Sequence, residues 1–246
     1  MSESSSLETG PFTLITVPTI PQEKKDEIAE VFYWDMSCVH NCLIRGMNSV
    51  WLTAPHVKPK DQASFLGYCI TLIETIHMHH HGEEVTVFPA LAKQLNMEHN
   101  LEQHESFQGA MDEFEKYIKD VQAKKEKYDG QRTRDLLKAF SDPLVQHLHD
   151  EILTIAPEQL LKVDQADLDA MMAGMAKHIK EASLFTTFPF VLSHHNFSEI
   201  PEWPPAPAPL MWFARNISYR RYSNYWKFSP WNNKGRLQSY VQTVAA

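Results

Sequence analysis

Cysteine is scarce in this 246-residue chain: Cys38, Cys42 and Cys69, an odd number with no C-x-x-C pair. That speaks against a disulfide framework and fits a reducing, cytoplasmic setting. Cys38 and Cys42 stand four apart on one helix face and are read as small packing residues. Long apolar runs are also lacking; none approaches the roughly 20 residues that span a bilayer, so no membrane partner is expected. The opening MSESSSLETG has neither the basic nor the apolar segment of a secretory signal and reads as a disordered polar lead-in. There is no nucleotide-binding motif, nucleophile triad or flavin fingerprint. Excess positive charge is missing too: the net charge is −8, and residues 185–246, with six Lys or Arg and two acids, leave −12 on the rest. An acidic body argues against nucleic acid as a partner.

What is present is helical periodicity. The first segment runs from about Gln22 to Ala54, with Ile28, Val31, Met36, His40, Leu43 and Met47 along one stripe. The second starts at Pro59 or Asp61 and continues to about Phe88. The third, about Glu98 to Lys125, has the cleanest pattern, Phe107, Met111, Phe114, Ile118 and Val121 in steps of four and three. The fourth begins near Gln131, and Ser141-Asp142-Pro143 predicts a kink or break within it. A fifth spans about Gln165 to Leu184. From Phe185 onward the chain holds 14 of its 27 aromatics and seven of its 15 prolines, including WPPAPAP at 203–209. So many rings are wrong for a disordered tail. We expect an irregular extension packed over the bundle, the alternative being an exposed polyproline recognition segment. The organisation is a polar lead-in at 1–21, a bundle at 22–156, and an added helix with the extension at 157–246.

The densest chemistry lies at residues 77–84, HMHHHGEE. His79 and Glu83, four apart, share a helix face. The spacing returns at His147 and Glu151. Two H-x-x-x-E pairs on separate helices are what a carboxylate-bridged pair of metal ions in a bundle requires. His40 lies on the apolar stripe of the first helix and His104 continues that of the third. Four histidines and two glutamates on inward faces are costly to bury without a cation, since a lone buried carboxylate costs several kcal/mol. His80 and Glu84 also stand four apart; placement relative to VFP favours His79 with Glu83 and makes their neighbours supporting groups. His56, His77, His81, His99 and His149 read as solvated or supporting. His178, His194 and His195 read as packing residues, as do Tyr33, Trp34 and Tyr68.

The ordered set of a helix-borne His, H-x-x-x-E before FP, a lone His and H-L-x-x-E resembles the hemerythrin-like, or HHE cation-binding, family. VHNCLIRGMNSVWLTAPHV is similar to the longer fungal members, which carry a C-terminal extension. The resemblance covers about residues 25–156. It implies an all-α, antiparallel four-helix bundle holding two iron ions bridged by Glu83, Glu151 and a solvent-derived oxo or hydroxo group. Manganese and zinc accept the same donors. The family's oxygen carriers use five histidines, two of them four apart on the third helix. Here Asn100 stands four before His104 and His99 five before it, about 140° off the stripe. That leaves one iron short of a protein donor, with an open position for dioxygen, peroxide or substrate. Three functions follow: a di-iron oxidoreductase or oxygenase acting on a small organic molecule; a carrier, store or sensor of oxygen or iron; or a metal-stabilised module that recruits partners through WPPAPAP. The sequence leaves the oligomeric state open.

Overall fold

A computed structural model describes residues 10–20, 22–24 and 27–241. The polar stretch MSESSSLET therefore lies outside the described residues. Four long helices form the frame: α1 (Ile28–Thr53), α2 (Gln62–Gly82), α4 (Glu98–Gln122) and α5 (Gly130–Thr154). α2 runs through a π-helical turn (Glu83–Val87) into the short α3 (Phe88–Leu91). α1 packs on α2 and α5, and α4 packs on α2 and α5, closing a four-membered antiparallel ring. Short links join successive helices, as an up-down-up-down bundle requires. No β-strand occurs among the described residues, only one antiparallel bridge between Trp231 and Leu237.

α4 and α5 are amphipathic in the ordinary way. α4 buries Asn100, His104, Phe107, Met111, Phe114, Ile118 and Val121, one stripe of steps of three and four. α5 starts where Asp129 caps it, its Oδ1 accepting from the N–H groups of Gln131 (2.8 Å) and Arg132 (3.0 Å). The expected break at Pro143 is absent; α5 is continuous. The carbonyl deprived of its N–H partner belongs to Ala139, which is exposed to water, while Phe140 and Leu144 on either side are fully buried. Both halves are anchored in the core, so the helix absorbs the proline on its outer side.

α1 is different. From Met36 to Val50 every residue but Val39 is buried, polar ones included. Two layers cover the side that a bare bundle leaves to water. The first is a strap, residues 10–20, stitched down by two asparagines. Asn48 accepts from Phe12 N–H (3.0 Å) and donates to Phe12 O (2.8 Å); Asn41 does the same to Ile15 (2.8 Å each). Seven residues of helix advance about 10.5 Å, and three of extended chain about 10 Å, so the registers match. The second layer is the C-terminal segment, which its prolines divide into short pieces: α8 (Thr187–His194), then Ala208–Phe213, a second π-helical turn (Ala214–Ser218) and Ser223–Trp226. Trp226 and Phe228 enter the main core, Phe228 5.2 Å from Phe65. Trp203 is buried and donates to Asp35 (2.5 Å). Between α5 and α8 come the short α6 (Pro157–Leu160) and α7 (Gln165–Ile179), and α7 lies over the π-helical turn at the end of α2. A Cβ on Gly82 would fall 2.6 Å from the His178 ring, and His178 Nε2 donates to Met78 O (2.8 Å).

Candidate metal centre

Seven ionisable side chains converge in the middle of the bundle, all buried: His40 from α1, His79, His80 and Glu83 from α2 and its π-helical turn, His104 from α4, His147 and Glu151 from α5. α2 delivers three of them for a simple geometric reason. At about 100° per residue, His79, Glu83 and His80 stand at about 0°, 40° and 100° around the helix. The carboxylate thus lies between the two imidazoles, one turn further on.

The donors form two groups, each with its ligand atoms within 4.8 Å of one another: His40, His79, Glu83 and Glu151, and His80, Glu83, His104 and His147. Glu83 belongs to both. Its Oε1 is 2.9 Å from His79 Nε2 and 3.9 Å from His40 Nε2, while its Oε2 is 3.6 Å from His104 Nε2. Glu151 Oε2 lies 3.3 Å from His40 Nε2 and 3.7 Å from His147 Nε2. Glu83 thus spans the two groups, and Glu151 belongs to the first while lying against His147 of the second.

The far sides of three imidazoles are pinned. His40 Nδ1 donates to Leu148 O (3.1 Å). His104 Nδ1 donates to Glu84 Oε1 (2.8 Å). His147 Nδ1 donates to Gln103 Oε1 (3.1 Å), whose own amide nitrogen donates to Asp150 (2.8 Å). With hydrogens on Nδ1, each Nε2 presents a lone pair to the centre. His104 Nε2 and His147 Nε2 then face each other at 2.9 Å, lone pair to lone pair. Alone that contact is repulsive. Two nitrogens bound at right angles to one cation at about 2.1 Å are about 3.0 Å apart, so a shared cation explains it.

Electrostatics point the same way. Burial pushes His79 down to about 4 and His147 to about 3, and lowers His80 and His104, so these imidazoles are neutral and fit to ligate. Burial, with repulsion from Glu151, drives Glu83 well above the usual carboxylate range, whereas for Glu151 the same burial is outweighed by the nearby His40, whose own value the two carboxylates raise against burial. Without a cation the pair cannot carry both charges. All four oxygens of Glu83 and Glu151, and Nε2 of His40, His79 and His80, are buried without a hydrogen bond. Unsatisfied groups in such number are exceptional in a folded core. The donor set fits a pair of divalent or trivalent metal ions.

The hemerythrin HHE cation-binding domain matches residues 40–158, from the first donor to just past the last. A dimeric xanthone biosynthesis cluster protein R11 of Cryptosporiopsis sp. (strain 8999) is 31% identical over 245 residues, covering 93% of this chain and 90% of its own. The chain belongs to the hemerythrin HHE cation-binding family. No solved structure matches it.

The structure brings together all six residues singled out in the sequence. It corrects the view of His80 as a supporting neighbour and of the two α2 registers as alternatives, because His79 and His80 both face inward. The hemerythrin-like count of five histidines is thereby reached without a second one on α4. The inferred shortage of a donor loses its basis, since His80 stands with Glu83, His104 and His147 as a fifth inward imidazole. His99 is exposed, as its angle predicts, and Asn100 is buried with both amide atoms unbonded. Gln103 gave no signal in the sequence. It stands one residue before His104, and only the neighbouring helix reveals what it holds. Tyr68 and His194 form a buried hydrogen bond of 2.6 Å, and His194 Nδ1 donates to Phe190 O (2.7 Å). His195 Nε2 donates to Ile200 O (2.7 Å). These histidines pack and bond, away from the centre.

Proposed function

We propose that the bundle binds two iron ions and uses them with dioxygen or peroxide to oxidise a small organic molecule. The observation that carries this reading is Glu83, buried, unbonded and shared by both donor groups. Such a pair of ions supplies the redox chemistry that protein side chains lack. The chain's own residues orient three imidazoles through Leu148 O, Glu84 and Gln103, keep His79, His80, His104 and His147 neutral by burial, and exclude bulk water from the centre. Each group holds four donors, three imidazoles with Glu83 in one and two imidazoles with both carboxylates in the other, which would leave room on either ion for an added ligand. The relative named for a biosynthesis cluster supports an enzymatic role.

A second reading, a reversible carrier or a store or sensor without turnover, is favoured by the five-histidine count, which equals that of the family's oxygen carriers. Metal analysis with an optical spectrum of protein purified under oxygen tests the cofactor. Two irons with near-ultraviolet absorption of an oxo-bridged ferric pair are expected; zinc or manganese in their place overturns the iron assignment. Oxygen-electrode measurements on the reduced protein then separate the two functions. Consumption beyond metal stoichiometry with a small-molecule pool supports the oxidoreductase. Oxygenation that reverses under vacuum supports the carrier and sinks turnover.

A further inference from the structure

α1 carries a buried arginine that no acid among the described residues neutralises. Arg45 is 6% exposed, and no carboxylate among the described residues lies within ion-pair distance of it. Its Nη1 donates to His194 O (3.2 Å), its guanidinium sits 5.3 Å from the Trp231 ring centroid, and its Nε has no partner. A buried charge left in this state is expensive and rare. Arg45 lines a cleft of about 620 Å³ between the strap, the Cys38–Asn41–Arg45 face of α1 and the loop after α8. That volume suits a small organic ligand. None of the seven metal donors lines it.

The other buried polar groups there are already engaged. Asn41 is bound to Ile15, His195 Nε2 to Ile200 O, and Asn196 Oδ1 to Ser198. Arg45 is left as the one buried charge able to orient a guest. Glu199 lies on the exposed rim, where it disfavours an anion at the mouth, so a bound acid would keep its carboxylate at the Arg45 end. The walls offered by Leu14, Val17 and Ile200 are apolar.

We propose that this cleft binds a small organic acid, its carboxylate on the Arg45 guanidinium and its apolar body against the strap. The proposal does not depend on the metal reading. Calorimetric titration of the full chain with octanoate and benzoate, and with octanol and benzyl alcohol as neutral counterparts, tests it. Saturable binding of at least one acid in preference to its alcohol is expected. Arg45→Gln should weaken it by about tenfold or more, and Arg45→Lys should restore part. Should Arg45→Gln fail to fold, Val17→Trp fills the cleft from the strap side and should abolish binding with melting unchanged. Absence of binding by both acids at millimolar concentration, equal affinity for the alcohols, or unchanged binding by Val17→Trp overturns the proposal.

Discussion

His80 and His81 are adjacent in sequence and differ in what they face: His80 is buried among the donors, whereas His81 is exposed beside His178. His80→Ala should lower iron content to about half by removing one of three imidazoles from its group, and His81→Ala should leave it unchanged; metal analysis on both variants checks this. Loss of metal in neither would remove His80 from the donor set. The other donors were legible as residues because each lies on an apolar stripe. His80 was not, because pairing by fours treats His79–Glu83 and His80–Glu84 as rivals. An arc of about 100° accommodates His79, Glu83 and His80 together and leaves Glu84 at its edge, where it reaches His104 instead.

At the scale of elements, the four long helices could be read from apolar residues that recur every three or four positions, although α1 is in fact buried nearly all round. The strap could not. Asn41 and Asn48 are merely polar interruptions of α1 in the sequence, and nothing local says that they bind backbone 26 and 36 residues away. Asn48→Ala leaves the Phe12 amide and carbonyl without partners inside the protein. A destabilisation of about 1–3 kcal/mol is expected in urea unfolding, with faster proteolysis at residues 10–20. Unchanged stability would mean that the strap is not fastened there. Pro143 taught the converse lesson: a local break signal loses when buried residues on both sides keep the helix continuous.

At the scale of the whole molecule, the main core runs from Phe12 to Tyr240, and Cys38, Cys42 and Trp203 form a second, smaller cluster. Deleting residues 201–246 removes Trp226 and Phe228, both buried, along with Trp203, Trp231 and Tyr240. Truncating one large aromatic side chain costs about 3–5 kcal/mol and whole-domain stability is about 5–15 kcal/mol, so the shortened chain should not fold. Gel filtration and dye binding would reveal aggregation or exposed apolar surface. A monomeric, metal-loaded truncated protein would instead support the partner-recruiting reading of WPPAPAP. A gentler perturbation is pH. Asp61 accepts from Lys227 (2.5 Å) and Tyr240 (2.8 Å), tying the chain end to the start of α2, and the Lys227 hydrogen bond followed by that of Tyr240 holds its carboxyl below the usual 3.8. Because the folded value lies below the unfolded one, this contribution is complete above about pH 4 and fades as pH falls through the lowered value. Asp61→Asn should remove that part of the acid dependence, by no more than about 1 kcal/mol, since the Lys227 end of the pair is part-exposed. Parallel stability–pH curves for the two proteins would refute it.

The asparagine stitching has an evolutionary corollary. Both amides grip peptide groups and ignore what those residues carry, so relatives can exchange Leu14, Thr16 or Val17 without loosening the strap's path. Gly10 is the exception, because a methyl there would collide with Asn48. Natural variation can therefore repaint that side of the molecule while the scaffold beneath it stays put.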